Sequence, residues 1–531
     1  MSPPLHSLAF GYRPRWMTRE DGAPFAGCRL LMLLALCLAT WACDDDKSGQ
    51  SDADADSADA ESHEDTELDA VAELDSDVEA ELESDGELET DTASETDSSS
   101  DTELDTIIEP ECARIPTFED GRSPTRELHV APDGNDDTGD GSLQAPFASI
   151  QRAAALATPG TAIRIHPGTY PGGSYLSELR GSADAPIWLG ALPGQARPLL
   201  QGGSQALHLV RPRWLIVHDL ELSGQSANGI NCDDGGDYDD PEAARYVIFR
   251  NLSLHDVGDG GNQDCLKLSG LNDFFVLDSE FSSCGGGGSG SGVDHVGCHR
   301  GLLARNRFQA LSGNAIQCKG GSEDLEIRWN HMSDAGERTV NMGGSTGFEF
   351  FRPPLSTSEP NFEARNIRVV ANVIEGANAS LAFVGCVDCA VVNNTIIDPE
   401  NWIFRILQET TSTNEYSFLP CGDNLVQNNL IVFNRSELST YVNIGPNVDA
   451  ESFRFVTNLW YARDNPSSSA PSLPVSESGG IIGRDPMLSE SFGLGAGSPA
   501  VQAGAVWDGL LGDLSGACYA VPPSIGALER H

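Results

Sequence analysis

Two lysines and a histidine recur at one phase of a repeating strand pattern. Lys267, His295 and Lys319 each lie eleven residues before an Asp or Asn that closes an apolar strand: Asp278, Asn306 and Asn330. Leu266 and Leu268 flank the first, so strand alternation predicts that the basic side chains point outward. Strands stacked about 4.8 Å apart would spread such a row over about 10 Å. The chain holds only three lysines, Lys47, Lys267 and Lys319, and arginine makes up the rest of its 32 basic residues. A row of cations on a sheet face suits an anionic polymer. Among uronic acids, β-elimination needs a cation to neutralise the carboxylate and a base to take the C5 proton, and a lysine crowded by like charge is suited to the second task.

Other side chains extend the row. Gln317 and Asn341 share its strands or the next coil, Arg338 lies one coil beyond Lys319, and Arg352 and Arg405 fall on later coils beside Phe350 and Trp402. These four, Gln317, Asn341, Arg352 and Arg405, are candidate substrate contacts. Asp233, Asp234 and Asp237 crowd a loop with Gly235 and Gly236, a cluster of hard oxygens that suits Ca²⁺. Asp264 and Asp294 form a possible carboxylate pair for glycoside hydrolysis, although alternation predicts that Asp294 points inward. His295 and His299 are candidates for acid–base steps.

The elements that must position these groups are short β-branched strands ending in Asn or Asp. Corner residues fall at Asn251, Asp278, Asn306, Asn330, Asn372, Asn394, Asn429 and Asn458, spaced by 27, 28, 24, 42, 22, 35 and 29 residues. The shortest spacings approach one minimal coil, and the longest carries the excursion Gly343 to Arg365. Asn tolerates left-handed corners, and its amide can bond its copy in the next coil. A TIM barrel needs a helix for each strand, and a propeller repeats nearer 40 to 50 residues, so neither fits. The 56 glycines and the 39 % apolar fraction agree with many turns around a thin core. Residues 127–136 (ELHVAPDGND), 141–151 (GSLQAPFASIQ) and 160–170 (GTAIRIHPGTY) read as strand, short helix and strand, with the helix run at 153–157 capping the open end of a solenoid. This opening resembles that of the pectate-lyase-like superfamily. The resemblance implies an all-β, single-stranded right-handed parallel β-helix with an N-terminal helical cap. Over about two coils the basic row is similar to the chondroitinase-B and alginate-lyase branch. That likeness implies Lys319 as the base and Arg338 as its companion, with Lys267 and His295 beside them. The segment 336–344 (GERTVNMGG) lacks the Arg-His-Gly of that branch.

The chain divides by composition into three parts. Residues 1–43 carry four arginines, the apolar run Leu30 to Leu38, and Thr40 to Cys43, an export signal resembling a bacterial lipobox with Cys43 as the lipidated residue. Residues 44–111 carry about −28 of the formal charge of −48 and too few apolar residues to fold, predicting a disordered, extended acidic linker. Residues 112–531 form the β-helix domain. Its acidity argues against nucleic acid. The ten cysteines after Cys43 permit disulfides in an exported chain. These features predict a monomer, anchored to the bacterial envelope through lipid alone, that acts on an anionic polysaccharide as a lyase. A β-helix hydrolase and a non-catalytic glycan-binding or adhesin protein are the alternatives.

Overall fold

A computed structural model describes residues 111–258 and 261–531. The expected signal, Cys43 and all but the last residue of the acidic linker lie outside the described residues. Three sheets of 14, 10 and 12 strands account for almost all of the regular structure, and every strand pair in them is parallel. Most coils give one strand to each sheet. Leu266–Ser269, Leu271–Leu277 and Glu280–Cys284 form one coil; Ser291–Val296, His299–Ala304 and Arg307–Leu311 form the next. Strand order within each sheet follows the chain. This is the right-handed parallel β-helix expected from the repeats.

Two kinds of corner set the path. The ten-stranded sheet leads into the fourteen-stranded one through left-handed glycines: Gly270 (φ 66°), Gly297 (φ 60°), then the pair Gly320 (φ 65°) and Gly321 (φ 89°). The fourteen-stranded sheet leads into the twelve-stranded one through a left-handed residue followed by an inward amide. Arg305 (φ 58°), Trp329 (φ 56°), Ala371 (φ 53°) and Asn393 (φ 56°) precede Asn306, Asn330, Asn372 and Asn394. The left-handed position is therefore one residue earlier than the amide ladder. In that ladder Asn306 Nδ2 donates to Asn330 Oδ1 at 3.0 Å, and Asn330 Nδ2 to Asn372 Oδ1 at 2.9 Å. It continues through Asn394, Asn429 and Asn458. Each Oδ1 also takes the backbone N–H of the preceding coil's corner, so the buried amides of this ladder are satisfied.

The apolar core runs through the coils from Leu128 to Trp460. Its N-terminal end is closed by a helix, Ile150–Ala154, a few residues ahead of the expected run. Ser149 caps it by accepting from Arg152 N, and Ile150 and Ala153 are buried. The fourteen-stranded sheet is apolar on its outer face too, at Trp188, Ile216, Ile248, Phe275 and Trp329. Ile115 and Phe118 from one end of the domain, and Trp507, Leu510 and Tyr519 from the other, cover that face. A Cys112–Cys518 disulfide joins the two covering segments. Cys265–Cys284 and Cys386–Cys389 are also bonded, while Cys232, Cys298, Cys318 and Cys421 are buried free thiols.

Candidate functional site

Strand register decides which side chains meet. Leu266, Lys267, Leu268 and Ser269 pair with Val293, Asp294, His295 and Val296. Val293, Asp294, His295 and Val296 pair in turn with Ile316, Gln317, Cys318 and Lys319. Lys267, Asp294, Gln317 and Asn341 thus form one outward row. Leu268, His295, Cys318 and Met342 form the neighbouring inward row. The expected row of Lys267, His295 and Lys319 is corrected on two counts. His295 points into the core, and Asp294, expected inward, stands beside Lys267 on the outer face. The spacing misleads because the laddered residue of the first coil is Ser279, whose backbone N–H donates to Asn306 Oδ1, so Asp278 is one position early. The third coil has two corner glycines where the others have one, which adds a second one-residue slip and leaves Lys319 two residues along its strand from Gln317.

The lysines nevertheless converge. Asp294, fully buried, is ion-paired through Oδ2 to Lys267 Nζ and lies 3.5 Å from Lys319 Nζ. Asp264 Oδ2 stands 3.4 Å from Lys267 Nζ, and its Oδ1 accepts from Ser291 N at 2.8 Å. Lys319 Nζ also donates to Gln317 Oε1 at 3.3 Å. Burial and then the neighbouring Asp294 push Asp264 up to about 7. Burial would raise Asp294 as well, but Lys267 and Lys319 outweigh it and hold this carboxylate below its ordinary range. Burial opposes charge on Lys267, yet Asp294 and Asp264 together hold its ammonium above the ordinary lysine value. Lys267 therefore stays charged.

Lys267 and Lys319 form the floor of a cavity of about 580 Å³ with Ser269 and Val296. One wall is the acidic loop at Asp234 and Tyr238; the other is the segment Ser345, Thr346 and Phe350. Arg352 ties the walls together. Its Nε donates to Asp234 Oδ2 at 2.6 Å, and its guanidinium lies 4.0 Å from the Tyr238 ring centroid. Arg352 crosses the corner glycines so closely that a Cβ at Gly297 would lie 2.3 Å from Arg352 Cβ, and one at Gly321 would lie 2.7 Å from its carbonyl oxygen. These corners must stay free of side chains for the strap to lie down.

The remaining expected residues are placed elsewhere. Arg338 pairs with Glu409 at 2.7 Å, and Arg405 lies over Trp402 at 4.4 Å; neither lines the cavity. Asn341 is buried with Oδ1 unpartnered. The three aspartates do not share an empty centre. Asp233 Oδ2 meets His208 Nε2 at 2.6 Å, Asp234 holds Arg352, and Asp237 Oδ2 lies 3.2 Å from Arg211 Nε. Among the described residues no group of three or more His, Cys, Asp or Glu is arranged to hold a metal, and this donor set, already committed to bases, does not fit a calcium shell. Sequence spacing missed Ser269, at the end of the Lys267 strand, and Tyr238 and Thr346, which reach the cavity from loops. The Asp264–Lys267 spacing of three was the one local signal for the ion cluster.

His295 carries a measurable consequence. Burial pushes it down to about 4 from an ordinary 6.5, and it sits against Phe274 with ring centroids 5.6 Å apart. Between pH 6.5 and 4 the unfolded chain takes a proton that the folded chain refuses, so stability falls on acidification, by up to about 3 kcal/mol from this residue. His295→Leu, matching Leu268 one coil away, is expected to remove that part of the acid slope while leaving the urea midpoint at pH 7 little changed. Urea midpoints at pH 7 and pH 4 check it.

No family model matches the sequence, and no curated protein matches it. Among solved structures the chain is similar to the pectate lyase Pel9A, with 18 % identity, a TM-score of 0.48, and coverage of 77 % of this chain and 98 % of that one. It is similar to an alginate lyase from Paenibacillus sp. str. FPU-7, with 14 % identity, a TM-score of 0.40, and coverage of 61 % and 100 %. A third similarity is to a rhamnogalacturonan lyase, with 13 % identity, a TM-score of 0.40, and coverage of 66 % and 90 %. The fold assignment stands on this chain's own three parallel sheets, which make the described residues a right-handed parallel β-helix.

Proposed function

We propose that the chain is an exported, lipid-anchored bacterial envelope protein that cleaves an acidic polysaccharide by β-elimination. The observation that carries this reading is that both lysines of the β-helix open into one cavity large enough for sugar units. Lys267, held charged between two carboxylates, neutralises the uronate carboxylate and thereby acidifies the C5 proton. Lys319, the other amine on the floor, takes that proton. The C4–O bond then breaks, leaving a double bond between C4 and C5 and releasing the other fragment as an alcohol once its oxygen is protonated. Arg352 and Tyr238 shape the wall. No step is assigned to a metal.

A hydrolytic reading draws on one specific observation: Asp264 and Asp294 flank the same ammonium, with Asp264 raised and Asp294 lowered. Against it, both carboxylates are buried beneath the lysines, where a glycosidic oxygen does not reach them. The deciding experiment incubates the full-length protein with polygalacturonate, alginate and glycosaminoglycan chains. The lyase reading expects a rise in ultraviolet absorbance from the unsaturated product. New reducing ends without absorbance support hydrolysis, and retention of ligand without either supports a binding protein.

A further inference from the structure

We infer that the cavity is a dead end which receives the terminus of a polysaccharide chain and excludes its interior; this rests on the polysaccharide reading above. The outward row of the ten-stranded sheet behaves differently on the two sides of Lys267. Towards the N-terminal coils it passes through Asn231 and His208 to Tyr175, in register at each coil. This side is open. Tyr175 is 51 % exposed, and its ring meets His208 edge-on at 5.1 Å. His208 and Asn231 are both fixed by Asp233 Oδ2, at 2.6 and 2.7 Å, which leaves their outer edges to a ligand.

Beyond Lys267 the same row is covered. Gln317, Asn341 and Ala382 follow in register, and they retain only 8 %, 2 % and 0 % exposure although the row faces outward. The cover begins at Gly344. A Cβ there would lie 2.9 Å from Gln317 Nε2 and 3.4 Å from Lys319 Cδ, so the backbone lies directly on these side chains. Gly344 O accepts from Thr410 Oγ1 at 3.4 Å. Phe348 sits 5.5 Å from Tyr416 and 5.8 Å from Phe418 between ring centroids, joining two loops from different coils into one cap.

A pyranose unit advances a chain by about one strand spacing. Tyr175 lies three strands before Lys267, about 14 Å, and Gln317 two strands after it, about 10 Å. About three sugar units fit on the open side. One or two fit between Lys267 and the cap that rests on Gln317 and Lys319, so each cut would release a mono- or disaccharide.

The test follows product size from the first turnovers on long polygalacturonate and alginate chains. The dead end expects mono- and disaccharides at once, with solution viscosity nearly unchanged. A ladder of intermediate lengths with collapsing viscosity overturns the dead end and leaves the lyase reading standing. Phe348→Ala, which loosens the cap, is expected to lengthen the first products. Lys319→Gln supplies a measurement independent of turnover: its binding to chains fractionated over a tenfold range of length. One protein bound per chain at every length supports a terminus. Binding that rises in proportion to length overturns it, and no binding to any chain overturns both this inference and the polysaccharide reading beneath it.

Discussion

Lys319→Ala is expected to lower turnover of a responsive polyuronide by about 10²- to 10⁴-fold, the contribution of a positioned base. Lys267 is no substitute. Its ammonium is buried between Asp264 and Asp294, which together hold it charged. Lys319 has a looser hold, at 3.5 Å from Asp294 and 3.3 Å from Gln317 Oε1, and it reaches the same floor. Lys319→Arg should be as inactive as the alanine variant, because a guanidinium keeps its proton. The initial rate of absorbance rise reads the effect, and near-ultraviolet circular dichroism checks that the coils survive. Full turnover in both variants would remove Lys319 from the chemistry and with it the lyase assignment.

The fold was legible because the residue that marks each corner is local and repeated. Asn306, Asn330, Asn372, Asn394, Asn429 and Asn458 each announce a corner, and the coil spacing follows from them. The phase of the site was not legible, for equally local reasons. Ser279 performs the ladder's role in one coil while the adjacent Asp278 takes the left-handed angle, and Gly320–Gly321 inserts one extra residue at another corner. A slip of one residue exchanges the two faces of a strand, which is how His295 was expected outside and Asp294 inside. The cavity walls were beyond reach for a different reason. Arg352 meets Asp234 across 118 residues, and no spacing rule connects two loop excursions. The cover on the fourteen-stranded sheet is non-local in the same way, since Trp507 and Phe118 approach it from opposite ends of the domain.

Asp294 is where stability and chemistry meet, and Asp294→Ala should show both. Its single buried carboxylate serves two ammoniums whose side chains are only 17 % and 13 % exposed. Removing it leaves Lys267 with Asp264 alone and Lys319 with a neutral amide. Breaking a buried ion pair from one side costs about 3–5 kcal/mol, because the remaining charge keeps its desolvation penalty. Asp264 should respond as well. Asp294 is the strongest charged neighbour raising it, so its titration near 7 should move down, partly restoring a counter-ion for Lys267. That compensation places the loss at the lower end of the range. Asp294→Asn keeps the volume and an acceptor oxygen and should lose less. Turnover should fall by about 10²-fold in either variant, since an ammonium displaced by about 1 Å no longer meets the substrate carboxylate. Urea midpoints measure the first effect and absorbance rates the second. A variant with an unchanged midpoint would mean that the lysines find other partners when Asp294 is gone. An unchanged midpoint together with unchanged turnover would show that the cluster does not organise the cavity floor. The expected pairing of the two losses follows from one geometric fact: the group that makes it tolerable to bury two amines in a sheet face also fixes where they point.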